Sequence, residues 1–107
     1  DILGLETVSR APEPFNLLFM KAGEDIVVLA KSKTPINPNP GDERFVHHAF
    51  GVALGKYEES RAHLEEKGVH IIHEEDRQDG VFQGKQAHFR DPDRNVLEII
   101  ALERLGP

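Results

Sequence analysis

Two side chains stand in strand-like, largely apolar segments that have no ordinary use for them. Glu98 sits at the centre of Val96-Leu97-Glu98-Ile99-Ile100-Ala101, and His47 opens His47-His48-Ala49-Phe50-Gly51-Val52. Burying an ionised carboxylate costs several kcal/mol, on the order of a strong interaction lost, unless a cation or good donors meet it. A divalent metal is one such cation; an arginine partner or a place at the sheet rim is the plainer alternative. Strand alternation groups Val96, Glu98 and Ile100 on one face, and Leu97, Ile99 and Ala101 on the other. On the earlier segment His47 shares a face with Ala49 and Gly51, whose small size leaves room in front of the imidazole. Open space beside a neutral imidazole is what a metal with exchangeable positions requires. A packed or exposed histidine is the alternative there, and His48 reads as a core or rim imidazole.

A second pair lies just before the last turn. Gln86 and His88 alternate with Ala87 and Phe89. If Ala87 and Phe89 pack toward a helix, Gln86 and His88 face the same side as Glu98. His88 could then serve as acid or base, or orient a substrate; a polar lining role is the alternative, as for Gln86. The other histidines carry less. His63 falls on a predicted helix, and His70 and His73 lie three apart, a spacing that faces opposite sides of a strand. Glu74-Glu75-Asp76 reads as a solvated turn, since adjacent carboxylates repel unless a cation bridges them.

These groups need a scaffold, and the chain supplies its signals in order. Asp1-Ile2-Leu3 followed by Gly4 reads as the last turn of a helix. Strands are expected at Leu5 to Ser9, Phe15 to Met20 and Ile26 to Ala30, the last two joined by the turn signal Ala22-Gly23-Glu24-Asp25. Lys31 to Arg44, with Pro35, Pro38 and Pro40, has the composition of a surface connection, either mobile or functional. A second half follows: a strand over Phe45 to Leu54, a helix over Lys56 to Lys67 capped by Gly68, and strands at Val69 to His73, Gln83 to Arg90 and Val96 to Leu102. The helix offers a thin apolar face, chiefly Tyr57 and Leu64. The second half thus reads βαβββ, and the first reads ββ or βββ behind a helix stub. If the halves are copies, the first lacks one strand and most of one helix, roughly 20 residues at typical element lengths. The expected organisation is one domain over 1–107: an incomplete first module (1–34), a proline-rich linker (35–44) and a second module (45–107).

Composition narrows the function classes. At 107 residues the chain is long enough for one modest core. A net charge of −6 argues against a nucleic-acid surface, which needs a basic stripe. The apolar run from Ile26 to Ala30 is far too short to span a bilayer. With no cysteine, disulfides, thiolate ligands and covalent cysteine catalysis are excluded. No signal peptide is legible at Asp1-Ile2-Leu3, and a cytoplasmic setting is expected.

His-x-Ala-Phe from His47, the helix ending Leu64-Glu65-Glu66-Lys67-Gly68-Val69, and Phe89-Arg90-Asp91-Pro92-Asp93-Arg94-Asn95 leading to Glu98 together resemble the vicinal-oxygen-chelate superfamily of glyoxalases, bleomycin-resistance proteins and extradiol dioxygenases. The match runs from Phe45 to Ala101. The resemblance implies an α+β fold in which paired βαβββ modules form a half-open barrel around one divalent metal (Fe, Ni, Zn or Mn). It implies His47 and Glu98 as metal ligands, with the third protein ligand on a strand absent from this chain. It further implies a metal-dependent isomerase, lyase, thiol transferase or ring-cleaving dioxygenase acting on a small molecule with adjacent oxygens. The alternative is a metal-free drug- or metabolite-binding protein. A homodimer, with modules exchanged between subunits as one option, is the expected assembly. The family pattern usually has glycine where Arg94 stands, so either Arg94 carries a left-handed backbone at roughly 1 kcal/mol or the turn relaxes.

Overall fold

The computed structural model describes residues 2–34, 36–41 and 43–106. Asp1, Pro35, Asp42 and Pro107, and the sequence expectations that touch them, lie outside the described residues. The chain divides into two compact units, with the boundary between Ile36 and Asn37.

The first unit is an antiparallel meander of β1 (Glu6–Ala11), β2 (Leu17–Ala22) and β3 (Asp25–Ala30) in the order β1-β2-β3. Its hairpin closes at the Ala22–Asp25 pair, leaving Gly23 and Glu24 as a two-residue loop. Gly23 takes φ +62 there, at the position that a type II′ turn gives to glycine. All three strands are therefore present, each starting one or two residues from where the sequence suggested or ending beyond it. Ile2 and Leu3 are in no helix, although Gly4 has the left-handed φ of a helix terminator. No residue of these three strands is fully buried.

The second unit has the βαβββ order read from the sequence. It comprises β4 (His47–Gly51), a 3₁₀ turn at Leu54–Lys56, α1 (Tyr57–Glu66), β5 (Ile71–Arg77), β6 (Phe82–Arg90) and β7 (Val96–Leu105). The sheet order is β4-β7-β6-β5, with β4 parallel to β7 and the other pairs antiparallel. A parallel pair needs a long crossover, and α1 with β5 and β6 provides it. α1 ends where Gly68 adopts φ +83, its N–H bonding to the Glu65 carbonyl while the Val69 N–H bonds to Leu64. That pair of bonds is the Schellman arrangement, which only a left-handed residue at Gly68 allows without strain.

α1 covers one face of this sheet. Tyr57 and Leu64, the two apolar residues the helix sequence offered, are buried with Ala87, Phe89, Ile99 and Ala101. Pairing assigns the opposite face to Val96, Glu98 and Ile100 from β7, Gln86 and His88 from β6, and His47, Ala49 and Gly51 from β4. Two expectations are corrected here. The strand predicted over Phe45 to Leu54 spans only His47–Gly51, because Phe45 and Val46 are exposed and Leu54 begins the 3₁₀ turn. Glu74-Glu75-Asp76 is not a turn but the middle of β5. Alternation removes the repulsion expected there: Glu74 turns to the helix, accepting from Tyr57 Oη at 2.7 Å and from Arg61, while Glu75 points to the other side near His73. Burial pushes the Tyr57 phenol up, and its hydrogen bond to Glu74 adds to the shift.

Candidate metal centre

Register alone brings the chemistry together. Ala49 pairs with Glu98, Glu98 with His88, and His88 with His73, so these four residues form one row across β4, β7, β6 and β5. Paired residues on neighbouring strands project to the same face. His47 stands one row away, opposite Val96 on that same face.

The carboxylate is the hub. Glu98 Oε1 lies 2.8 Å from His47 Nε2 and 3.1 Å from His88 Nε2. One ligand atom from each of the three residues falls within 4.8 Å of the other two. Glu98 and His88 are each 5% exposed, whereas His47 opens to the surface. The two imidazole rings meet edge to face, with centroids 5.0 Å apart, and the His73 ring meets His88 edge to face as well, at 5.5 Å. Burial pushes the Glu98 carboxyl up, but the hydrogen bond from His88, the charges of His88 and His47, and the hydrogen bond from His47 outweigh it. They hold the group below the usual carboxylate range.

Proton bookkeeping at His47 makes the cluster informative. Its Nδ1 lies 2.9 Å from the Arg44 carbonyl, which can only accept, so Nδ1 carries the proton. In the neutral ring this leaves a lone pair on Nε2 aimed at a carboxylate oxygen. A positive charge has to sit between them, either a second proton or a metal ion. A histidine whose other nitrogen donates to a carbonyl is the usual arrangement of a metal-binding imidazole. His88 poses a matching problem. Its Nδ1 is buried with no hydrogen-bond partner among the described residues, while its Nε2 faces the same Glu98 oxygen. Two imidazole nitrogens and one carboxylate oxygen suit a borderline divalent ion such as Mn, Fe, Ni or Zn. The donor set therefore fits.

Each residue singled out in the sequence can now be placed. His47 and Glu98 converge, and His88 joins them as a third candidate ligand from the same unit. The sequence reading put His88 beside Glu98 facing substrate and looked for the third ligand outside the chain; the register that brings His88 Nε2 to the carboxylate could not be read from strand alternation alone. Gln86 is buried on the same face, its Nε2 3.4 Å from the Phe82 carbonyl. His48 is exposed and meets Phe50 edge to face, on the face away from the cluster. His73, which its spacing from His70 left without a role in the sequence, is a half-buried member of the row. Its signal was invisible because β5 begins two residues later than expected and carries a register irregularity between Ile71 and His73.

The turn before β7 aims Glu98. Asp91 Oδ1 accepts from the backbone N–H of Asp93 (2.9 Å) and Asn95 (2.8 Å), and its Oδ2 accepts from the Asn95 side chain at 2.8 Å. Arg94 keeps the left-handed backbone, φ +69, so the turn does not relax around the arginine. No helix among the described residues is long and apolar enough to cross a membrane.

Comparison with solved structures gives the fosfomycin resistance protein FosX of Listeria monocytogenes, at a TM-score of 0.72 and 17% identity, over 94% of this chain and 74% of that one. A variant of that protein was solved with Mn(II) and 1S,2S-dihydroxypropylphosphonic acid. Lactoylglutathione lyase of Agrobacterium tumefaciens aligns at a TM-score of 0.67 and 23% identity, covering 94% and 77%. An integron cassette protein from the Halifax Harbour sewage outfall aligns at 0.65 and 26%, covering 94% and 80%. Comparison with curated proteins gives no match. These likenesses carry the mixed α+β fold, which among the described residues has two sheets and one α-helix. The sequence itself matches the family model of the Glyoxalase/Bleomycin resistance protein/Dioxygenase superfamily over residues 1–99, and the chain belongs to that family.

Proposed function

We propose that this protein is a divalent-metal-dependent enzyme acting on a small molecule with adjacent oxygens, with His47, His88 and Glu98 as the protein ligands. The observation that carries the proposal is the convergence of one ligand atom from each of His47, His88 and Glu98 within 4.8 Å of one another, with His47 Nδ1 turned away to the Arg44 carbonyl. Mn(II) in a structurally similar FosX variant supports the metal class. When bound, such an ion supplies Lewis-acid polarisation of substrate oxygens. The chain's own residues do the rest. Glu98 balances one unit of the cation's charge from a buried position. Ala49 and Gly51 keep the space beside His47 clear. Gln86 offers an amide donor and acceptor to the substrate from the next row. A buried polar wall of this kind orients a substrate without competing for the ion.

Isomerase, lyase, thiol-transfer and ring-cleavage chemistry share these requirements. A homodimer is part of the same proposal, supported by the outer edge of β4, which has only β7 as a strand neighbour among the described residues; a cytoplasmic setting is part of it too. The deciding measurement is elemental analysis of the protein purified without chelator, followed by titration of the stripped chain with Mn(II), Fe(II), Ni(II) and Zn(II). One ion per chain is expected for at least one metal, with binding abolished by Glu98→Ala and by His47→Ala. A wild-type chain that binds none of them, yet binds an organic ligand tightly, would replace the enzyme with a metal-free binding protein.

A further inference from the structure

Phe45 is 86% exposed, and Val46, His47 and His48 are exposed as well, so burial does not fix the beginning of β4. Yet the ring of His47 must be held to a fraction of an ångström for its Nε2 to meet Glu98. The restraint comes from the segment read in the sequence as a proline-rich linker. Asn39 is 4% exposed, a buried amide in a polar loop. Its Nδ2 donates to the Val46 carbonyl at 2.9 Å, and its Oδ1 accepts from the Val46 N–H at 3.0 Å. A side-chain amide thus satisfies both backbone groups of one residue, as a neighbouring strand would. The Asn39 backbone is itself set by Asn37, whose Oδ1 accepts the Asn39 N–H at 3.1 Å. Between the clamped Val46 and the loop lies Arg44, whose carbonyl takes the Nδ1 proton of His47.

We propose that Asn39 is a positioning residue for the metal centre: by pairing with both backbone groups of Val46 it fixes the Arg44 carbonyl against His47 Nδ1, and so sets the orientation and tautomer of that ring. The role of His47 as a ligand rests on the function proposed above, while the effect of Asn39 on the ring does not. Groups one shell removed from a metal typically change affinity by about 10- to 100-fold when lost. Asparagine is needed because the clamp uses one donor and one acceptor. Aspartate keeps the acceptor and loses the donor.

The test uses the full chain, stripped of metal and then titrated with Co(II) alone. Asn39→Ala is expected to weaken Co(II) binding by about 10- to 100-fold, and Asn39→Asp by less. In the metal-free protein the proton on His47 Nδ1, followed by long-range nitrogen–proton NMR, should be sharp in the wild type and broadened or lost in Asn39→Ala. Amide exchange in β6 and β7 reports whether the unit stays folded, and Asn39→Asp carries the comparison if the alanine variant does not fold. The proposal is overturned if a folded variant keeps both the wild-type Co(II) affinity and the sharp Nδ1 proton, even at a lower melting temperature. A wild-type chain that ignores Co(II) would sink the metal assignment only; the Nδ1 proton then decides the role of Asn39 by itself.

Discussion

The two units run the same three-strand antiparallel motif and bury it very differently. In β1, β2 and β3 no side chain is fully enclosed, whereas β6 and β7 each carry several enclosed residues. The second unit adds what the first lacks among the described residues: a fourth strand and a helix that covers one face. A meander alone has too little apolar surface to form a core, and a helix laid across it closes one. The candidate centre lies wholly on the better-buried unit, where His88 and Glu98 are fixed by paired strands and a Cβ at Gly51, on the face of His47, would meet open space. Precision of this kind needs rigid support.

Two glycines break the comparison open. Gly84 sits at the register irregularity between β6 and β7, with φ +137, and a Cβ there would collide with the Ala101 carbonyl. Gly23, in the meander's turn, also has a positive φ but open space where a Cβ would go. Gly84→Ala should therefore destabilise the protein by about 3 kcal/mol or more, through backbone collision in a packed sheet. Gly23→Ala should cost only about 1 kcal/mol, from the left-handed backbone. Denaturant melts compare the two, and equal costs would mean that the packing contrast has no energetic meaning.

Acid sharpens the same contrast, since the strongest buried charge sits in the second unit. The Glu98 carboxyl is held below its ordinary value by His88 and His47. A depressed carboxylate contributes stability above its unfolded value, about 4.3, and loses it as the pH falls through the lower folded value. With metal stripped by chelator, the melting temperature should fall between about pH 5 and pH 3 in the wild type. Glu98→Gln should flatten that slope, leaving the part due to Glu74, which Arg61 and Tyr57 hold low in the same way. Parallel slopes would show that Glu98 is not the charged hub.

The smallest expected effect is at the turn before β7. Arg94 holds φ +69 without the freedom of glycine. Arg94→Gly should stabilise the unit by up to about 1 kcal/mol, offset in part by the greater entropy of the unfolded chain. A loss of stability instead would mean that the interactions Arg94 makes outweigh the cost of its left-handed backbone.

What the sequence made legible follows from period and turn chemistry. Alternation about Glu98 and His47 gave the right faces, Gly68 marked the end of α1, and the Asp91 to Asn95 run marked the turn. What stayed hidden depends on register. Alternation sorts Gln86 and His88 from Ala87 and Phe89, but nothing within β6 tells which residue of β7 lies opposite His88. Likewise three adjacent carboxylates look like a solvated loop until β5 sends Glu74 and Glu75 to opposite faces. Asn39 was concealed for another reason: in a stretch rich in Pro and Asn, one asparagine turned inward has the same composition as one turned out.

The sheet order carries a consequence for how the protein comes into being. Of the strands described, β7 follows all the others in the chain yet sits between β4 and β6, and among the described residues it is the sole strand neighbour of β4. On the ribosome, β5 and β6 can zip together as a hairpin, while the segment bearing His47 waits without a partner through the synthesis of some fifty intervening residues. Closure of so long a loop is slow and all-or-none. The candidate metal site therefore forms late, when β7 slots between β4 and β6 and delivers Glu98.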